Sequence, residues 1–126
     1  MSDLEKNRPL SPHLQVYKWQ LSSLLSITHR LTSIINIAAI SLICFWIISL
    51  YLGENYYKYF QIFSSSMVGK FILIGFTWSF CYHLLNGLRH LSWDFGYGYE
   101  IKIANFSGVL VLVVSFFLTT ALWFFI

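Results

Sequence analysis

The chain has 126 residues, 57% of them hydrophobic and 20% aromatic, with only 10% charged. A soluble domain of this size has too much surface for its volume to hide that much apolar area, so a free-standing soluble domain is excluded. The net charge of +3 rests on eight basic residues that form no run, so a nucleic-acid-binding surface is excluded too. The expectation is an all-α, polytopic membrane protein with three transmembrane helices.

Residues 1–21 hold both prolines, Pro9 and Pro12, and the stretch RPLSPHL reads as extended. They show no cleavable secretory signal and no Arg-rich, acid-poor transit pattern, so insertion from inside a bacterium or an organelle is expected. Tyr17, Lys18 and Trp19 suit the headgroup level, where aromatic rings and a snorkelling lysine are at home. Residues 1–21 are therefore expected as an inner-face interfacial segment.

The first span is expected over 22–52, with Ser22 or Ser23 as N-cap. Residues 31–53 carry no charge, roughly 34 Å as helix and enough to cross the hydrocarbon core. Gly53 stops it, and 53–66 is expected as an outer loop with an aromatic belt. The second span is expected over 67–92, with Lys70 and Arg89 snorkelling outward from a short apolar stretch. An inner loop over 93–102 and a third span over 103–126 complete the plan. Lys6, Arg8, Lys18, Arg30, Arg89 and Lys102 fall on one side, and only Lys58 and Lys70 on the other. That bias places the N-terminus inside. Cys44 and Cys81 lie in apolar runs, with no CxxCH or paired CxxC, and read as packing residues.

Polar chemistry collects at the expected inner ends of spans one and two. SITHR, residues 26–30, carries Ser26, His29 and Arg30; HLLNGLRHLSWDFG, residues 83–96, carries His83, Gly87, Arg89, His90 and Asp94. Such groups are costly in hydrocarbon and mark functional sites there. His83, Gly87 and His90 share one helical face, which offers an imidazole and a flat wall to a planar ligand. Two ligands suit the cluster: a b-type haem, with an axial His and propionates, or a quinone, whose oxygens accept hydrogen bonds. Plainer roles stay open. Arg30 and Arg89 also suit topology anchors, His90 an interfacial hydrogen-bonder, and Ser26 a hydroxyl returned to its own backbone. His83 suits a packing role, a haem ligand or a proton path. The sequence offers it no second intramembrane histidine at matching depth, and His13 has no assigned role.

The chain resembles the cytochrome b membrane-anchor subunits of succinate dehydrogenase, respiratory complex II. The first signature runs from Arg8 and Pro9 to S-x-x-H-R-x-S/T, met by Ser26, His29, Arg30 and Thr32. The second, H-x-x-x-G-x-R-H followed by an aromatic residue and D-x-G, is met by His83, Gly87, Arg89, His90, Trp93, Asp94 and Gly96. Ser33 departs from the glycine common at its position.

The resemblance implies that His83 ligates haem b, with the second axial ligand from a small anchor subunit. It implies that Ser26 and Arg30 line the ubiquinone site and that His29, Arg30 and His90 lie near the haem propionates. Gly87, Arg89 and Asp94 are expected to be structural there. It implies membership of a heteromeric helical bundle, with iron–sulfur and flavoprotein subunits, in a bacterial inner or mitochondrial inner membrane. The chain lacks a GxGxxG flavin fingerprint and ferredoxin-like cysteine spacing, so it is expected to be non-catalytic alone. The competing readings are the anchor of a quinol–fumarate reductase and a cofactor-free membrane scaffold.

Overall fold

The structure, a computed structural model, describes residues 17–126. The expectations for Pro9, Pro12, His13 and the Arg8–Pro9 start of the first signature lie outside the described residues. Among the described residues four helices follow in order: α1 (Leu21–Leu52), α2 (Glu54–Ser65), α3 (Met67–Asp94) and α4 (Ile101–Phe125). Among the described residues there is no strand. Helices α1, α3 and α4 are long and apolar enough to cross a membrane.

The bundle is turned inside out relative to a soluble protein. Among the described residues the buried hydrophobic ones number four, Leu25, Cys81, Tyr82 and Val111, against seven buried polar or charged ones. Lipid is as apolar as leucine, so burying leucine between helices gains little; close packing and hydrogen bonds hold such helices together. The small apolar core is Leu25, Tyr82 and Val111. Gly108 lets α4 close on α1, for a Cβ there would collide with Leu25 Cδ1.

Hydrogen bonds between helices set the register. The Tyr82 hydroxyl donates to the Leu25 carbonyl at 2.9 Å, and Ser79 Oγ donates to Asn36 Oδ1 at 2.9 Å. Residue numbers on α1 rise as those on α3 fall, so the two run antiparallel. Trp123 Nε1 donates to Thr77 Oγ1 at 3.2 Å, while Arg89 meets Ala104 and Ser107, so α3 and α4 are antiparallel as well. The start of α1, the end of α3 and the start of α4 therefore come together.

Three boundaries differ from expectation. Helix α1 starts from an extended Gln20, not from a serine cap, because Ser23 Oγ is paired with the Tyr17 hydroxyl at 2.6 Å. The stretch 53–66, expected as a loop, contains α2. Tyr57, Phe60 and Phe63 recur at helical spacing, and Phe60 packs near Trp46 of α1, leaving Tyr56, Tyr59 and Ile62 exposed. Ser66 caps α3 by accepting from the Gly69 N–H at 2.9 Å. Helix α3 runs on to Asp94 and ends with Gly96 at φ 83°. Tyr97 N donates to Ser92 O and Gly96 N to Trp93 O, the paired bonds of a Schellman turn.

Candidate functional site

The centre of the site is a stack of two imidazoles. His29 of α1 and His83 of α3 lie face to face, 4.0 Å between centroids and 5° from parallel. His90 leans on His29 at 5.4 Å and meets Trp93 edge-on at 4.8 Å. All three histidines are half-buried. Thr32, one turn beyond His29, places its Oγ1 3.1 Å from His83 Nδ1 and donates to the His29 carbonyl at 2.8 Å. His29 Nδ1 is buried without a hydrogen-bond partner.

His29 therefore shares the depth of His83, contrary to the expectation that no second histidine does. The sequence hides this because the two belong to different helices, and only the α1–α3 register sets their relative height. The parallel stack does not make a pair of axial ligands. Two imidazoles on one iron point ring nitrogens at it from opposite sides, whereas these rings present their faces to each other.

His83 also borders a groove of about 740 Å³ between α1 and α3. Its walls are mainly apolar, from Ile37, Ile40, Phe76 and Phe80, with Ser33, Asn36 and Thr77 as polar exceptions beside His83. A Cβ built on Gly87 meets nothing within 4 Å, so the helix face above His83 is open.

The two arginines part company. Arg89, expected to snorkel outward, is buried at 7% exposure. It donates to Ser107 Oγ at 3.0 Å, Asn86 Oδ1 at 3.2 Å and the Ala104 carbonyl at 2.8 Å, and it lies over the Trp93 ring at 4.1 Å. A guanidinium fork that meets acceptors in several directions is a clamp, here between α3 and α4. The Ala104 carbonyl belongs to the first turn of α4, where Arg89 is the inter-helix cation at hand. Arg30 stays exposed and Ser26 half-buried. Neither lines the groove. Ser26 Oγ makes no hydrogen bond among the described residues, while its neighbour Thr28 returns its hydroxyl to Leu24. Asp94 is exposed at the end of α3.

Sequence reasoning assigned no role to Thr32, Asn36, Ser79, Tyr82 or Asn86. The usable signal was a polar stripe, 29–32–36 on α1 and 79–82–83–86 on α3, at i, i+3, i+4 spacing in otherwise apolar spans.

The succinate dehydrogenase/fumarate reductase transmembrane subunit family model matches residues 5–122. The chain belongs to that family. It is a membrane subunit of the succinate dehydrogenase cytochrome b type. It is 43% identical over 121 residues to the succinate dehydrogenase cytochrome b556 subunit of Rickettsia prowazekii, covering 96% of this chain and 94% of that one. The Paracoccus denitrificans cytochrome b556 subunit is 40% identical, with 91% and 89% covered. The human mitochondrial cytochrome b560 subunit is 38% identical, with 90% of this chain and 68% of the human one covered. For this family member the expected three-span, all-helical plan is the observed one.

Proposed function

We propose that this subunit anchors the flavoprotein and iron–sulfur subunits of a succinate dehydrogenase to the membrane, and that with a small anchor subunit it forms the haem b and ubiquinone sites. The observation that carries this reading is the His29–His83–Thr32 cluster beside an open groove. The relatives are named cytochrome b subunits, which brings a b-type haem to this chain.

The residues present fit that group. His83 supplies a ring nitrogen at the border of the groove, and the space over Gly87 leaves room for a flat macrocycle. A bound haem supplies a one-electron redox centre. His83 would hold the iron from this chain, with a further ligand coming from a partner subunit. His29, Arg30 and His90 serve the carboxylate edge, where His29 Nδ1 has no hydrogen-bond partner among the described residues.

Quinone is the electron acceptor, bound near Ser26 and Arg30 at the inner end of α1. Arg30 is exposed and Ser26 half-buried, which supports a site whose remaining walls come from partner subunits. Reduction puts negative charge on the ring oxygens. A guanidinium at low dielectric stabilises that charge more than water would, and the Ser26 hydroxyl donates a hydrogen bond to one oxygen. Arg89, spent on Ser107, Asn86 and Ala104, holds α3 against α4 instead. The N-terminal side faces the cytoplasm or matrix, as the basic residues favour.

The test is extraction in mild detergent, then a subunit gel and a reduced-minus-oxidised spectrum. A b-type band with flavoprotein and iron–sulfur partners is expected. A purified chain with no band and no partners leaves the scaffold reading in its place.

A further inference from the structure

Thr32 is almost fully buried, at 1% exposure, and its hydroxyl touches two groups at once. Oγ1 lies 2.8 Å from the His29 carbonyl oxygen and 3.1 Å from His83 Nδ1. A hydroxyl has one proton to give and two lone pairs to offer. A carbonyl only accepts, so the shorter contact uses the proton. Ser33 Oγ reaches the same carbonyl at the longer 3.1 Å and does not displace Thr32.

The contact with His83 therefore runs from the ring to the hydroxyl. Two facing lone pairs at 3.1 Å would repel, so Nδ1 carries the hydrogen. A neutral imidazole has only one such hydrogen, which leaves Nε2 with its lone pair, the form a metal requires. The ring is also held in place. His29 covers one face of it, and α1 is pinned to α3 beside Thr32, where Ser79 Oγ donates to Asn36 Oδ1 at 2.9 Å and lies 3.3 Å from the Thr32 carbonyl oxygen.

We infer that Thr32 is a positioning residue that holds His83 as its Nδ1–H tautomer, so that Nε2 is presented to the haem iron. The inference rests on the reading of His83 as an iron ligand. Outer hydrogen bonds to a ligating histidine fix its tautomer and raise its basicity, and their loss commonly costs ten- to a hundredfold in metal affinity. A more basic ligand favours the oxidised metal, so losing the Thr32 acceptor raises the midpoint potential.

The experiment compares Thr32→Val, isosteric but without lone pairs, with Thr32→Ser, which keeps them, in the assembled complex. Haem content, the potentiometric midpoint and the low-temperature spectrum of the oxidised haem are measured. Thr32→Val is expected to shift the midpoint upward and to weaken haem binding by about ten- to a hundredfold. Thr32→Ser is expected to stay close to the parent. A Thr32→Val complex with parental midpoint, haem content and spectrum overturns the inference. If Thr32→Val does not assemble, Thr32→Ala takes its place, and equal behaviour of Ala and Ser overturns it. His83→Leu runs in parallel. A parental band there sinks the ligand reading itself, whereas a lost band beside an unshifted Thr32→Val sinks only the role of Thr32.

Discussion

The rings of His29 and His83 stack 4.0 Å apart and 5° from parallel, joining α1 to α3 at one depth. The two histidines are nonetheless inequivalent. His83 borders the groove and has its Nδ1 tied to Thr32, whereas His29 Nδ1 is buried and unpartnered. On the proposed reading His83 is the iron ligand and His29 a neighbour that shields it. His83→Leu is therefore expected to abolish or replace the b-type band. His29→Leu should keep the band but move its position or midpoint. Difference spectra of the two variants decide the matter, and the reverse pattern would exchange the roles.

Ser26 and Arg30 lie one turn apart on α1, the first half-buried and the second exposed. If they bind quinone, their loss touches only the final acceptor. Ser26→Ala and Arg30→Ala should each lower succinate–quinone activity by about tenfold or more, the scale of a lost donor to a developing oxyanion. Succinate oxidation with an artificial dye, carried by the soluble subunits, should remain near parental. Assaying both activities on one membrane preparation separates a quinone defect from poor assembly. Parental quinone activity in both variants would remove these residues from the site.

The three spans were legible because each holds a long uncharged and mainly apolar stretch, which a lipid bilayer accommodates and a small soluble domain does not. Helix α2 was not. Its dozen residues are rich in tyrosine, end in serines and follow a glycine, all of which also describe a loop with an aromatic belt. The individual site residues His29, His83 and His90 were legible as polar groups out of place. Their mutual arrangement was not, because the height of His29 against His83 depends on the Tyr82–Leu25 and Ser79–Asn36 contacts between helices. Thr32 was passed over for a related reason. A threonine in a span usually returns its hydroxyl to its own helix, as this one does, and the second contact to His83 needs the other helix in place.

Arg89 shows the same limit from the side of stability. Its charge and position suggested an outward anchor, but Ser107 and the Ala104 carbonyl draw it inward. Replacing it by alanine removes the partner of Asn86 Oδ1, on a side chain whose Nδ2 already lacks one. Arg89→Ala is expected to destabilise the subunit by about 2–3 kcal/mol, and Arg89→Lys by a smaller amount, since an ammonium cannot span the same acceptors. Thermal inactivation of the detergent-solubilised complex measures this. An Arg89→Ala complex as stable as the parent would show that the clamp contributes nothing net.

Gly108 and Leu25 give a test of helix packing that is independent of any cofactor. A methyl group at residue 108 would occupy the space of Leu25 Cδ1, and Leu25, at 3% exposure, has little room to yield. Gly108→Ala should therefore cost about 1–3 kcal/mol by overpacking. Leu25→Ala alone should cost about 2–5 kcal/mol by leaving a cavity beside Tyr82. In the double variant the new methyl enters the space the leucine vacates. The combined loss should fall short of the sum by about 1 kcal/mol or more, the coupling expected of residues in contact. Strict additivity would mean that α4 does not approach α1 at this point, and the close crossing at Gly108 would have to be abandoned.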